Sequence, residues 1–267
     1  MPIVMYKKIG ETPLECLTRL RLERPEYAQT PANMTGVSDA AGISGTVGVP
    51  LTYVGRLDPM AEGALLVLAG DECNDRTKYL ELEKEYICEI LWGYATDTYD
   101  ILGKVKRTQV KNVSISELKN KLEIISQKLV GKMQQKYPPY SSKPVRGKPL
   151  LFWAREGRLD EIKIPSKEIE VKVFEVLNTR SVSPIEIEKD VMARLSLARG
   201  DFRQTEIIPL WKTSFENLYE DVLISKIRVV CSSGTYVRGL VEDMGKAIGI
   251  GATVLSLVRT RVGDFKN

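Results

Sequence analysis

The residues best suited to covalent chemistry lie in segment 55–70, which has the sequence GRLDPMAEGALLVLAG. Asp58 stands directly before Pro59 and an apolar run from Met60 to Leu68, a pattern that predicts a helix beginning at the proline. The aspartate would then be an N-cap that accepts backbone amide hydrogen bonds. Because Arg56 stands two residues earlier, the carboxylate could instead be held ionised beside a cation and act as a nucleophile. The segment alone leaves both roles open.

The chain of 267 residues contains no histidine. Ser–His and Cys–His nucleophile pairs and histidine-ligated metals are therefore excluded, and acid–base chemistry must come from Asp, Glu, Tyr, Lys or Cys. The sequence has no Walker loop and no GxGxxG after a strand, so we expect no nucleotide cofactor. The four cysteines form no CxxC pair, which is typical of a protein in a reducing cytoplasm without zinc or disulfides.

The elements that must position these residues form an α+β chain dominated by antiparallel sheet. Residues 30–50, rich in small and polar side chains, predict a long loop. The periodicity of apolar residues predicts strands at 3–9, 85–92, 168–177, 190–199, 222–232 and 252–258. It predicts further helices that begin at Thr12–Pro13, span 116–130 and follow Tyr236.

Tyr86 and Arg238 are polar residues at conspicuous places on these elements. Tyr86 lies on the apolar face of the strand at 85–92, where it could be a half-buried core tyrosine. Arg238 flanks the inward stripe of the last helix and could form a surface pair with Glu242, one turn later. Neither pattern by itself assigns a function.

The segment 128–158 is the strongest charge anomaly. It carries eight lysines and arginines against one acid, Glu156, although the whole chain has a net charge of only +4. Four aromatic residues are interleaved with the cations, and Pro138, Pro139 and Pro144 prevent a regular helix through the middle. A solvated basic loop is one interpretation. An RNA-binding segment is the other, because phosphates bind cations and bases stack on aromatic rings.

Six segments resemble, in order, motifs of the TruB family of tRNA pseudouridine synthases, which isomerise the T-loop uridine at tRNA position 55. YVGRLDPMAEG at 53–63 is similar to the catalytic motif, and KKIGET at 7–12 to the N-terminal motif. The other matching segments are KEY at 84–86, TDTYDILG at 96–103, PPYSSKPVRGK at 138–148 and SGTYVR at 233–238. The resemblance extends from about residue 6 to the C-terminus, and six motifs in register are far more specific than any one.

The resemblance implies a pseudouridine synthase fold, with a mixed, mostly antiparallel sheet flanked by helices and a thumb loop that clamps RNA. Asp58 would be the catalytic carboxylate, Arg238 would pair with it, and Tyr86 would stack on the target base and assist proton movement at the sugar. The implied reaction breaks the C–N glycosidic bond, turns the uracil and rejoins it through carbon. It needs no cofactor, and the base must be flipped into a pocket.

The resemblance also implies RNA contacts outside this catalytic trio. Tyr53 stands where the family usually has a histidine that helps to displace the target nucleotide. Arg56 is similar to an arginine of rRNA-modifying relatives that serves base flipping, so we expect it to take over this task. The remaining positions expected to bind substrate are Tyr140, Lys143, Arg146 and Lys148. The T-arm of tRNA is the expected partner, and rRNA is the alternative.

We predict a single catalytic domain over 1–267, with 128–158 as its basic thumb, that acts as a monomer in the cytoplasm. Only Lys266 and Asn267 follow Phe265, so the resemblance predicts that the family's C-terminal RNA-binding PUA domain is absent. The N-terminus lacks the apolar core of a signal peptide, and no apolar run is long enough for a membrane span.

Two other classes of protein remain as alternatives. One is an RNA-binding protein or tRNA-folding chaperone that has kept the fold and lost the reaction, against which the intact Asp58, Tyr86 and Arg238 argue. The other is a glycoside hydrolase, which would need a second acid across a sugar cleft. No such acid is marked by the motifs.

Overall fold

A computed structural model of the chain describes residues 1–28, 30–31, 46–108 and 113–266. The loop predicted at 30–50 lies largely outside these residues. The helices are α1 Pro13–Glu23, α2 Arg76–Leu80, α3 Ile115–Leu129, α4 Leu150–Arg155, α5 Pro184–Leu197, α6 Gln204–Phe215 and α7 Val237–Ile248. None of the helices in the described ranges is long and apolar enough to span a membrane.

The strands vary from two-residue pairings to the seventeen residues of the longest. The first eight are β1 Ile3–Lys7, β2 Thr30–Pro31, β3 Thr46–Val47, β4 Leu51–Val54, β5 Ala61–Ala69, β6 Lys84–Trp92, β7 Tyr94–Thr96 and β8 Val105–Arg107. The others are β9 Gly131–Lys136, β10 Pro144–Val145, β11 Lys148–Pro149, β12 Ser166–Val182, β13 Val222–Cys231, β14 Ala252–Val262 and β15 Phe265–Lys266.

The main sheet has the order β1-β5-β14-β6-β13-β12-β9, with β4 paired to β5 and β15 paired to β14. Every pairing in it is antiparallel except that of β14 with β5, which is parallel. The predicted α+β fold with a mixed, mostly antiparallel sheet is therefore confirmed. Strand β14, from the last part of the sequence, lies between two strands from the first third of the chain.

Helices cover both faces of this sheet. Leu118 and Leu122 of α3 and the inward stripe of α7 pack on one face, in a cluster with Cys88, Ile90 and Trp92 of β6. The other face is covered by α5 and α6, whose apolar residues pack against Leu91, Ile224 and Leu255. The predicted helix at 116–130 and the inward stripe after Tyr236 are confirmed. So is the helix at Thr12–Pro13, because Thr12 forms a capping box with Glu15.

The helix predicted from Met60 to Leu68 is wrong, because this run is strand β5. The strand pairs with β1 along one edge and with β4 and β14 along the other. Both of its faces are buried, because Leu65 and Val67 belong to one apolar cluster and Ala64, Leu66 and Leu68 to another. A fully buried strand is apolar throughout, and periodicity cannot distinguish it from a buried helix. Gly63 permits the close pairing, since a Cβ there would lie 2.2 Å from the carbonyl oxygen of Arg259.

The strand predicted at 190–199 is also wrong, because most of this segment belongs to helix α5. The hydroxyl of Ser183 caps the helix by accepting the amide of Glu186, and Pro184 occupies its first turn. The buried residues Ile187, Val191 and Leu195 recur at intervals of four, which is the helical period. The alternation seen in the sequence covered only the second half of this longer pattern.

Candidate active site

Asp58 lies in the tight turn that joins β4 to β5. Its backbone carbonyl accepts the amide of Ala61 at 3.0 Å, and the carbonyl of Pro59 accepts the amide of Gly10 at 2.9 Å. The expected N-cap role is therefore wrong, since no helix begins here. The turn instead presents the side chain of Asp58, which is 32% exposed, at the end of a buried strand.

The side chain of Lys7 binds the backbone of this turn. Its fully buried ammonium donates to the carbonyl of Ala61 at 2.6 Å and to that of Pro59 at 3.4 Å. Burial lowers the pKa of Lys7 to about 8, although the carboxylates of Glu11 and Asp58 oppose this shift. The N-terminal motif thus acts on the turn through Lys7, a connection that sequence order alone does not show.

The stability of the fold should therefore depend on pH through Lys7. Its folded-state pKa lies below that of an unfolded lysine, so between about pH 8 and pH 10.5 the unfolded chain binds more protons and stability rises with pH. Between about pH 8 and pH 9.5 we expect the free energy of unfolding of the wild type to rise by about 2 kcal/mol relative to that of Lys7→Met. Denaturant unfolding at several pH values measures this gain.

Lys8→Met is the matched control, because it removes an exposed ammonium next to Lys7. Its difference in stability from the wild type should stay constant over the same pH range. A constant difference for Lys7→Met as well would show that the buried ammonium does not carry the effect.

Arg238, the second residue of α7, forms the centre of a buried ion-pair network. Its Nε donates to Asp58 Oδ2 at 2.7 Å and lies 3.6 Å from Asp100 Oδ2, and its Nη1 donates to the carbonyl of Thr98. Burial works against its charge, but the carboxylates of Asp58 and Asp100 raise the pKa of Arg238 above its usual range. The contact with Asp58 that the resemblance implied is therefore present. The surface pair with Glu242 is not, since Glu242 binds Lys246 at 3.1 Å.

Tyr86 projects from β6 into the same space as Asp58. Its ring is nearly buried, and burial raises the pKa of its hydroxyl while the charge of Arg259 opposes the rise. The tyrosine belongs both to the core cluster on one face of the sheet and to the wall of a cavity. The interpretation as a core tyrosine is thus correct but incomplete.

A cavity of about 700 Å³ brings most of the expected site residues together. This volume is in the range of small-ligand pockets. The expected residues along its wall are Tyr53, Arg56, Asp58, Tyr86, Tyr140 and Arg238. Asp100, Lys84, Arg259 and Arg203 also line it, although the sequence patterns gave them no role. Asp100 and Lys84 stand inside motifs that match the family, and this position was the signal in the sequence that could have pointed to them.

Lys143, Arg146 and Lys148 do not line this cavity. They lie on and next to the β10–β11 hairpin, where Arg146 adopts a positive φ of 49° beside Gly147. Lys143 lies over the ring of Tyr137 at 5.2 Å, and Lys148 over the ring of Phe152 at 4.0 Å. The predicted thumb 128–158 is therefore divided: residues 131–136 form β9 of the main sheet, and residues 137–158 pack around buried Leu150 and Trp153. Its cations are exposed except for Lys143, which is half-buried.

Arg203 connects residues 137–158 to the rest of the site. It donates to Asp97 Oδ2 and to the hydroxyl of Tyr140, both at 2.7 Å, and its guanidinium lies 4.6 Å from the Tyr140 ring centre. Burial and the carboxylate of Asp97 raise the pKa of Tyr140 to about 12. The sequence carried no signal for Arg203, because it lies outside the matched motifs and precedes α6 with a positive φ of 63°.

Comparison with solved structures defines the class of fold. The whole chain superposes on 50% of a chain in the crystal structure of a Cbf5-Nop10-Gar1 complex, with a TM-score of 0.51 and 19% sequence identity. Together with the mixed sheet and the network around Arg238, this likeness confirms the expected pseudouridine synthase fold.

The family is defined by the sequence. Residues 50–195 match the model of the TruB family pseudouridylate synthase N-terminal domain, and the chain belongs to this family. It is 33% identical over 215 residues to tRNA pseudouridine synthase B of Francisella tularensis subsp. holarctica, which covers 80% of this chain and 56% of the relative. It is 30% identical over 214 residues to tRNA pseudouridine synthase B of Endomicrobium trichonymphae, covering 80% and 73%. The chain thus spans little more than half the length of the first relative.

Proposed function

We propose that this chain isomerises a flipped-out uridine of RNA to pseudouridine, with the uridine at position 55 in the tRNA T-loop as its substrate. The observation that carries the proposal is the contact of 2.7 Å between Asp58 and the buried Arg238, at a cavity that Tyr86 also lines. Membership of the TruB family supports the reaction, and two relatives named tRNA pseudouridine synthase B support the choice of RNA.

The exposures of the three charged groups assign different roles to them. Asp58 is 32% exposed, whereas Arg238 and Asp100 are 4% and 7% exposed. Asp58 is therefore the group that reaches the substrate, and Arg238 pairs with it and orients it. Asp100 is a positioning residue, since its carboxylate also accepts the hydroxyl of Thr98 at 2.7 Å and the amide of Leu102 at 3.0 Å.

In the proposed reaction the carboxylate of Asp58 faces the anomeric carbon of the bound uridine. The C–N bond breaks, the uracil leaves as an anion and turns, and its C5 forms the new bond to the sugar. The proton on C5 is then lost and N1 gains one, so the product is an isomer of the substrate. Tyr86, which lines the cavity, supplies a face on which the base stacks while it turns, and its hydroxyl assists the proton transfer at the sugar.

A glycoside hydrolase is disfavoured by the same geometry. Such an enzyme needs a second carboxylic acid that can protonate the leaving group across the sugar. The other acids that line the cavity are Asp100 and Glu11. Asp100 is bound by Arg238, Thr98 and Leu102, and Glu11 is bound by Arg19 and the amide of Lys8, so neither is free to reach a leaving group.

The direct test is to incubate the purified chain with a T-arm stem-loop whose uridines carry tritium at C5. Formation of the C–C bond releases one tritium per isomerised uridine, and chemical mapping then locates the pseudouridine. We expect release from the position-55 uridine and none from a stem-loop with cytidine there. Release only from an rRNA fragment would transfer the proposal to rRNA, and faster tRNA folding without any release would favour the chaperone.

The cations of the thumb are proposed to bind RNA phosphates. Each phosphate contact lowers the slope of log K against log salt by roughly 0.7 to 0.9. The triple variant Lys143→Ala, Arg146→Ala, Lys148→Ala should therefore bind RNA with a slope that is flatter by about 2. Equilibrium binding of a T-arm stem-loop at several salt concentrations measures the slope.

A matched triple variant removes three exposed lysines from helices elsewhere in the fold. These are Lys119 of α3, Lys189 of α5 and Lys212 of α6. The salt slope of this variant should equal that of the wild type. If both triple variants flatten the slope equally, the thumb is no special clamp, and a general positive surface binds the RNA.

A further inference from the structure

Two buried cations lie side by side at the floor of the cavity without a negative partner. Lys84 begins β6 and is 4% exposed, and Arg259 of β14 is 1% exposed. Arg259 is the cross-strand partner of Tyr86, and Lys84 stands two residues before Tyr86, so all three side chains share one face of the sheet. All three line the cavity.

The hydrogen bonds of both cations go to neutral carbonyls. Arg259 donates from Nε to Ala64 at 2.7 Å and from Nη2 to Gly55 at 3.0 Å. Lys84 donates to Leu80 at 2.6 Å and to Leu82. Among the described residues neither cation forms an ion pair.

Gly55 leaves the space in front of these two groups open. It has a positive φ of 70°, and a Cβ placed on it would lie 3.4 Å from Nη1 of Arg259 and 3.8 Å from Cε of Lys84. Gly55 lines the cavity as well, next to the turn that carries Asp58. The two cations therefore border the space that a bound nucleotide would occupy.

Two like charges in such a place are unfavourable by themselves. Taking a cation out of water without a counter-charge costs several kcal/mol, and a second cation beside it adds repulsion. The consequence is visible at Lys84, where burial and then the charge of Arg259 lower the pKa to about 8. A bound anion would offset both costs.

We propose that Lys84 and Arg259 form an anion subsite that binds a backbone phosphate next to the flipped uridine. This inference rests on the proposed function, which makes RNA the substrate. Phosphate suits the site because a guanidinium offers several N–H donors to its oxygens and an ammonium adds a point charge. The subsite would hold the backbone beside the base that stacks on Tyr86, and so would position the sugar against Asp58.

The test removes the charge from one phosphate at a time. T-arm stem-loops carry a neutral methylphosphonate at the linkage 5′ or 3′ of the target uridine. Their controls have a phosphodiester there, and both RNAs have the same 2′-deoxy sugar beside the linkage, so that only the charge differs. We expect one of the two neutral linkages to lower kcat/KM of the wild type by about tenfold or more, with a matching loss in affinity.

The same RNAs are then compared on Lys84→Met and Arg259→Gln. Each variant should lose most of its sensitivity to the charge of the linkage, so that neutralising the linkage changes its kcat/KM by less than about threefold. Lys119→Ala, which removes an exposed cation of α3 outside the cavity, should keep the full sensitivity of the wild type. Arg259→Lys keeps the charge and should keep most of the sensitivity to the neutral linkage, and Lys84→Met alone tests the subsite if Arg259→Gln does not fold.

The wild-type comparison needs no variant, so the proposal can fail even if both variants are unstable. It is overturned if neither neutral linkage changes affinity or kcat/KM by more than about threefold, or if the sensitivity is unchanged in both variants. These results differ from failure of the proposed function, in which the wild type would release no tritium from the unmodified RNA. Fluorescence anisotropy reports the affinities in that case as well.

Discussion

Asp58→Asn is expected to abolish uridine isomerisation while RNA binding survives. Asparagine keeps the shape of the side chain but removes the negative charge that the reaction uses and that Arg238 holds in place. The exposed thumb cations, which we propose to bind phosphates, lie elsewhere and are unchanged. We expect turnover below a few per cent of the wild type and RNA affinity within about tenfold, roughly 1.4 kcal/mol.

Tritium release and equilibrium binding on the same stem-loop measure the two quantities. Asp71→Asn is a matched control, because it makes the same change at an exposed carboxylate after β5. It should leave both quantities as they are in the wild type. Turnover of Asp58→Asn above a few per cent would contradict the assignment of Asp58 as the reacting carboxylate.

Arg238→Met is expected to damage both the fold and the reaction. It removes the only cation paired with Asp58 and Asp100 in the described part of the chain and leaves the buried Asp100 facing a second carboxylate. Breaking a buried ion pair by removal of one partner typically costs about 3–5 kcal/mol. We therefore expect a loss of this size in the free energy of unfolding, measured with denaturant, and no tritium release.

A double variant separates the two effects. Adding Asp100→Asn to Arg238→Met removes the buried charge, so stability should recover in part while the reaction stays absent. Arg180→Met is the control for an exposed pair, since Arg180 binds Glu89 at the surface, and it should cost less than about 1 kcal/mol. A loss below about 1 kcal/mol for Arg238→Met would show that the network carries little of the stability.

Much of the fold followed from local patterns. The helix start at Thr12–Pro13, the alternation of β6 and the apolar stripes of α3 and α7 were all predicted because each is encoded by neighbouring residues. The predictions failed at β5 and at α5. In β5, burial on both faces hid the alternation of a strand. In α5, the alternation seen in the sequence covered only part of a longer helical pattern.

The residues of the candidate site could be predicted from the sequence more readily than the contacts between them. Asp58, Tyr86 and Arg238 could be picked out because they stand in motifs. The position of Asp100 behind Arg238 and of Arg259 opposite Tyr86 depends on strand register, which no single segment contains. Arg203 could not be anticipated at all, since it lies outside the matched motifs and its contact with Asp97 arises only when distant segments pack together.

The place of β14 in the sheet has a consequence for how the molecule is made. This strand is synthesised long after β5 and β6, yet it lies between them. Until it arrives, the nascent chain presents two apolar strand edges that could pair with other chains. High contact order of this kind slows folding and lengthens exposure to aggregation. The cavity wall is completed only when Arg259 takes its place opposite Tyr86, so incomplete chains on the ribosome have no assembled site.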